Sequence, residues 1–203
     1  MQQLKIFGPV AGVLADDERG RIVHTPGLVP AATAAAWFDE IRRTVDWRSE
    51  RRFMYSREAD TPRLIAHFPL ADERRGRVPA SILEAHASVV AHTGVPFNSV
   101  GLNLYRDGRD SVAPHNDHVL RQGFPIALLS LGATRRMTIR AQEPPPRVLD
   151  VDLAAGSLML MSYETQLHYT HGIPKTDASV GQRISLAFRV KPRDRGHATR
   201  PGY

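Results

Sequence analysis

The stretch Ser99–Asp117, SVGLNLYRDGRDSVAPHND, decides the fold. Its first seven residues, Ser99 to Tyr105, alternate apolar and other side chains with the two-residue period of a strand that has two different faces. Arg106-Asp107-Gly108-Arg109 follows, and Asp-Gly after such a run predicts a hairpin turn. Pro114-His115-Asn116-Asp117 closes the stretch. On a strand, His115 and Asp117 share a face and offer one imidazole and one carboxylate.

Downstream, short apolar runs alternate with turn residues. Phe124–Leu131, Arg136–Arg140, Val148–Leu153, Ser157–Ser162 and Arg183–Val190 read as strands, with Glu143-Pro144-Pro145-Pro146 as a loop between two of them. Upstream the period is helical. Pro30–Val45 carries Trp37, Phe38, Ile41 and Val45 at helical spacing, with Thr33 as a candidate cap. Val78–His92 has Pro79 for its first turn, a stripe of Ile82, Leu83, Val89 and Val90, and Gly94 to stop it. Two helices followed by many closely spaced strands predict a mainly β fold with flanking helices (α+β), a jelly roll or double-stranded β-helix. The whole chain, 1–203, reads as one domain: a helical, substrate-side extension over 1–95, the jelly-roll core over 96–191, and a basic flexible tail over 192–203.

The composition is that of a globular chain, with 42% hydrophobic and 24% charged residues, which excludes a mostly disordered protein. No apolar run approaches the ~18–20 residues of a membrane span, and the N-terminus lacks a signal-peptide pattern. There is no Cys, so disulfides, thiolate-bound metal and Cys nucleophiles are excluded; a reducing, cytoplasmic setting is expected. The net charge of +6 is uneven. Six Arg against two acids between Arg42 and Arg57, and five basic residues against one acid between Arg189 and Tyr203, give two clusters of +4 that suit a phosphate backbone as well as a solvated face.

One further His would complete a two-His, one-carboxylate set with His115 and Asp117. Such a facial triad leaves open positions and suits non-haem Fe(II). His171, in Tyr169-Thr170-His171-Gly172-Ile173-Pro174-Lys175, and His168 three residues earlier are nearly even candidates; His86 and His92 read as structural. In the last strand, Arg183, Ser185, Ala187 and Arg189 alternate with Ile184, Leu186 and Phe188. An Arg facing into a barrel needs an anion, and guanidinium binds carboxylate bidentately.

Taken together, these segments resemble the AlkB family of Fe(II)- and 2-oxoglutarate-dependent dioxygenases. The resemblance runs from about Phe97 to Val190 and rests on the order of its pieces: Asn103-Leu104-Tyr105-Arg106-Asp107-Gly108-Arg109-Asp110-Ser111, His115-x-Asp117, Leu129-Ser130-Leu131-Gly132-Ala133-Thr134-Arg135, Gly156-Ser157-Leu158, Met161, Thr165-Gln166, His171 to Lys175 and Arg183 to Arg189. It implies that His115, Asp117 and His171 hold the iron, that Asn103 and Tyr105 contact 2-oxoglutarate, that Arg183 pairs with its distal carboxylate, and that Arg189 lies at the iron end and orients the cosubstrate or Asp117. The implied cofactors are Fe(II), 2-oxoglutarate and O2, with ascorbate as a stimulant. The implied reaction is oxidative dealkylation of N-alkylated bases in DNA or RNA, single-stranded or flipped from a duplex, releasing succinate and formaldehyde, as in DNA repair.

The sequence departs from the family where the substrate sits. His118-Val119-Leu120 follows the His-x-Asp pair where acidic residues are usual. Pro62-Arg63 is a fainter echo, and beyond it Ala66-His67-Phe68-Pro69-Leu70 replaces an aromatic, Gly-containing segment. Arg63, His67, Phe68 and Val119 are thus the substrate-side candidates, with His67 and Phe68 able to stack on a base or simply to pack. The alternative is the same chemistry on a protein side chain or small molecule. A binding module without catalysis has no use for the complete ligand set, and a zinc hydrolase has none for Arg183 and Arg189.

Overall fold

The computed structural model describes residues 11–54, 57–70, 78–117 and 121–192. In chain order the elements are β1 (Gly12–Asp17), β2 (Gly20–Thr25), α1 (Ala31–Thr44), β3 (Arg48–Met54), β4 (Arg57–Pro69), α2 (Ala80–Thr93), β5 (Ser99–Tyr105), β6 (Val112–His115), β7 (Ile126–Gly132), β8 (Arg135–Ala141), β9 (Val148–Leu153), β10 (Leu158–Met161), the one-turn α3 (Thr165–His168), β11 (Tyr169–Ile173) and β12 (Arg183–Arg189). Eight strands form one sheet in the order β1-β2-β10-β7-β12-β5-β4-β3, and four form a second in the order β6-β11-β8-β9. Every pairing is antiparallel.

Alternation along the central strands builds two cores. Ile184, Leu186 and Phe188 of β12 join Val100, Leu102 and Leu104 of β5 and Leu129 and Leu131 of β7 on one face, against Trp37 and Ile41 of α1 and Ile82, Ala85 and Val89 of α2. The opposite face meets the second sheet: Ile22, Ile126, Leu128, Met159 and Ala187 pack on Met137, Ile139, Val151, Leu153, Tyr169 and Ile173. Sheet packed on sheet, with helices outside, is the jelly-roll arrangement the sequence predicts. Burial on both faces explains why β7, IALLSLG, is apolar almost throughout rather than alternating.

Both helices lie where predicted, with one correction. Thr33 does not cap α1: the boundary residue is Pro30, whose carbonyl accepts from the Ala34 N–H at 2.9 Å, so the helix starts ahead of Thr33. Gly94 ends α2 with φ +70, a left-handed stop that glycine adopts at little cost. Trp37 Nε1 donates to Glu84 Oε2 at 2.8 Å and ties the two helices together.

Two further expectations are corrected. The Asp107-Gly108 turn does not join a hairpin: β5 pairs with β4 and β12, β6 pairs with β11, and the turn carries the chain from the large sheet to the small one. Three-dimensional contacts shape it instead. Arg135 donates to the carbonyls of Asp107 and Asp110 at 2.9 Å and of Pro174 at 2.7 Å, and a Cβ at Gly108 would strike the Thr176 carbonyl. The segment expected to be a helical extension also carries β1 to β4, which complete both ends of the eight-stranded sheet. No helix among the described residues is long and apolar enough to cross a membrane.

Candidate active site

The strand register fixes which side chains share the cleft between the sheets. Arg183 pairs with Tyr105, Ser185 with Asn103, Ala187 with Gly101 and Arg189 with Ser99, so all these residues point to the small-sheet side of the large sheet. Across from them, β6 and β11 pair His115 with His171. Their rings lie 4.5 Å apart, centroid to centroid. One ligand atom each from His115, Asp117 and His171 falls within 4.8 Å of the others, a set that could hold a metal ion.

The rotamers and protonation states suit that purpose. His115 Nδ1 lies 3.0 Å from the Ala113 carbonyl, and since a carbonyl only accepts, Nδ1 carries a proton and Nε2 is the nitrogen placed to meet a metal. His171 is buried, and burial, with His115 beside it, pushes its pKa down to about 3; it presents a neutral imidazole. Asp117 accepts from Arg189 Nη2 through both oxygens, at 3.0 and 3.1 Å.

The common direction of His115 and Asp117 has a different origin from strand alternation. β6 stops at His115, and Asp117 lies beyond it. Gln166 holds the segment: its Oε1 accepts from the Asp117 N–H at 3.0 Å, and its backbone carbonyl accepts from Asn116 Nδ2 at 2.9 Å. Gln166 is itself buried, with Nε2 donating to Thr165 Oγ1. The Thr165-Gln166 pair was visible in the sequence, but only its tertiary contacts reveal this role.

Deeper in the cleft stands Arg183, at 0% exposure. Nη2 donates to Ser130 Oγ at 2.9 Å and the guanidinium lies 5.1 Å from the Tyr105 ring centroid, while Nε and Nη1 have no hydrogen-bond partner among the described residues. Burial lowers the pKa of Arg183 and raises that of the Tyr105 hydroxyl, the latter opposed by Arg183, Arg63 and Arg135. A buried guanidinium with idle N–H groups lacks an anion, and a carboxylate meets that need. The residues present therefore fit both groups, a metal on the triad and a carboxylate on Arg183.

The remaining expected residues divide. Arg63 Nε donates to Asn103 Oδ1 at 2.8 Å, and both belong to the cleft. His67 pairs with Gly101 and faces the same side. Phe68, its neighbour, points the other way and packs, partly buried, against the helix-side core, while also lining the open hollow that His67 lines. His168 sits at the end of α3, 3.9 Å from Glu143, away from the ligand set. His86 Nε2 donates to the Phe97 carbonyl at 2.7 Å, a structural role as expected. His118, Val119, Leu120 and the tail beyond residue 192 lie outside the described residues.

Comparison with known proteins agrees with this geometry. The family model described as "2OG-Fe(II) oxygenase superfamily" matches residues 21–189. Alpha-ketoglutarate-dependent dioxygenase alkB homolog 3 of Bos taurus is 32% identical over 195 residues, 87% of this chain and 68% of that protein. DNA oxidative demethylase ALKBH2 of Homo sapiens is 37% identical over 106 residues, 48% of this chain and 41% of that protein. The crystal structure of a Pseudomonas putida prolyl-4-hydroxylase shares the fold at TM-score 0.53 and 16% identity, covering 84% of this chain and 93% of that one. The chain belongs to the 2OG-Fe(II) oxygenase superfamily and, within it, to the AlkB family. It is accordingly an Fe(II)- and 2-oxoglutarate-dependent dioxygenase, with Fe(II), 2-oxoglutarate and O2 as its cofactors and cosubstrates.

Proposed function

We propose that this dioxygenase oxidatively dealkylates N-alkylated bases in DNA or RNA, in a repair role. The observation that carries the reading is the pairing, in one cleft, of a His-Asp-His set with a fully buried guanidinium whose Nε and Nη1 find no hydrogen-bond partner among the described residues. The first suits iron and the second the distal carboxylate of 2-oxoglutarate. The nucleic-acid substrate is supported by the relatives, one of which is named a DNA oxidative demethylase. The jelly-roll core, 96–191, carries the cofactors, and elements within 1–95 stand on the substrate side. A cytoplasmic setting accords with the cysteine-free sequence.

His115, Asp117 and His171 hold the metal in this reading, and Arg189 Nη2, reaching both carboxylate oxygens, orients Asp117. Arg183 anchors the distal carboxylate, with Tyr105 and Asn103 lining the cosubstrate's path and Arg63 fixing the Asn103 amide. Fe(II) held by these residues would supply oxidation of a C–H bond by O2, coupled to conversion of 2-oxoglutarate to succinate and carbon dioxide, with one oxygen atom of O2 going to each product. An N–CH3 group becomes N–CH2OH, which breaks at the C–N bond to release formaldehyde and return a proton to the base nitrogen. The apolar packing between the two sheets keeps water from the cleft floor.

The test is anaerobic reconstitution with Fe(II) and 2-oxoglutarate, then O2, following succinate and formaldehyde with and without methylated single-stranded DNA or RNA. Both products rising with the nucleic acid is the expected result. Succinate formation indifferent to any nucleic acid would overturn the substrate assignment and leave the oxygenase chemistry standing.

A further inference from the structure

The cleft face of the large sheet continues past Arg189, across β5 and onto β4. Arg189 reaches across β5 over Gly101, where an added Cβ would lie only 3.1 Å from Nη1. The next strand presents His67, paired with Gly101. Beyond the end of β12, Lys191 brings Nζ to 2.9 Å from His67 Nε2. Lysine only donates, so Nε2 accepts and His67 keeps its proton on Nδ1. Lys191 is not a loose residue: its N–H donates to Asn98 Oδ1 at 2.8 Å and its carbonyl accepts from Asn98 Nδ2 at 3.0 Å.

This cation is held in place without a counter-charge among the described residues. Asp117 is engaged by Arg189. Asp46 lines the same open hollow of about 550 Å³ as His67, and Arg48 holds it. Burial lowers the pKa of Lys191, with Arg189 adding to the effect, and burial with both cations does the same for His67. An ammonium fixed against His67, which itself lines a solvent-open hollow, is built for an anion that arrives from outside.

We propose that Lys191, oriented by His67, binds a phosphate of the substrate's sugar–phosphate chain next to the reacting base. This rests on the nucleic-acid reading above. The same chemistry is offered by the phosphodiester of an oligonucleotide and by the phosphate of a free nucleotide, and the substrates of the test separate them.

The experiment measures binding of a fluorescent single-stranded oligonucleotide over a range of salt, for the full chain, Lys191→Ala and Lys191→Arg. Lys191→Ala is expected to weaken binding about tenfold at low salt and to flatten the slope of log K against log salt by about 0.7, the share of one phosphate contact on a single strand. Lys191→Arg, which keeps the charge, restores the slope. In turnover, Lys191→Ala raises KM for a methylated oligonucleotide about tenfold with kcat unchanged, and leaves a methylated nucleoside unaffected. A loss shared by the methylated 5′-nucleotide points to any phosphate; a loss confined to the oligonucleotide points to the chain. An unchanged salt slope, or equal damage to nucleoside and oligonucleotide turnover, overturns the assignment while the nucleic-acid reading stands. Failure of the unaltered chain to bind or oxidise any nucleic acid overturns both.

Discussion

The two faces of β12 have the same backbone and nearly the same burial, and they do opposite work. Ile184, Leu186 and Phe188 face the helices and are closed in apolar packing. Arg183, Ser185 and Arg189 face the cleft, where Arg183 is as deeply buried as Phe188 yet keeps two nitrogen groups idle. One face lowers the free energy of the fold. The other holds polar groups that Asp117 and Ser130 satisfy only in part, so that Arg183 is left short of a counter-charge until a ligand arrives. Stability and function are thus separated by a single side-chain alternation, and substitutions on the two faces are expected to fail in different ways.

The largest effect on the cleft side belongs to Asp117→Ala. Turnover is expected to vanish and iron binding to fall steeply, while the far-UV circular dichroism stays that of the unaltered chain. Retained iron-dependent succinate formation would remove Asp117 from the ligand set. On the helix side the counterpart is Phe188→Ala, which empties a fully buried site and is expected to cost about 3–5 kcal/mol in a denaturation experiment. Its folded fraction should keep the KM for 2-oxoglutarate of the unaltered chain.

Arg183→Met sharpens the comparison, because the residue is equally buried but charged. KM for 2-oxoglutarate is expected to rise about 10- to 100-fold as the carboxylate loses a charge-assisted partner. In the absence of cosubstrate the melting temperature should hold or rise, since a poorly satisfied buried charge is replaced by an apolar chain of similar reach. Added 2-oxoglutarate should then raise the melting temperature of the unaltered chain and not of the variant. A destabilisation as large as that of Phe188→Ala, without cosubstrate, would mean that Arg183 serves the fold itself.

What the sequence disclosed follows the same division. The period-two pattern of β5 and β12 is visible because burial on each face demands one kind of side chain, and those two strands carry Arg183, Arg189, Asn103 and Tyr105. The N-terminal strands were not visible. β4 includes Pro62 and opens on charged residues, and β1 and β2 owe their place to pairing with β10, a contact more than a hundred residues away in the chain. Local pattern also misassigned the Asp107-Gly108 turn, whose course depends on Arg135 and on Thr176, both distant in sequence. Phe68 reads equally as a stacking or a packing residue; the register sets it against the helix-side core, while it also borders the hollow beside His67.

Gln166 is the position where sequence pattern and three-dimensional role differ most, and it carries the smallest expected effect. Asp117 lies beyond the end of β6; its N–H is taken instead by Gln166 Oε1 at 3.0 Å, and the Gln166 carbonyl holds the neighbouring Asn116 side chain at 2.9 Å. Gln166→Leu fills the buried space but leaves the Asp117 N–H without its acceptor. Iron affinity is expected to drop about tenfold, the lower end of the range for groups that orient metal ligands. Because Arg189 still grips the carboxylate, excess Fe(II) should restore most of kcat, and Gln166→Glu, which retains the acceptor, should come closer to the unaltered affinity than Gln166→Leu. If Gln166→Leu binds iron normally, the grip of Arg189 alone positions Asp117, and the cleft face of β12 organises the metal end of the site as well as the cosubstrate end.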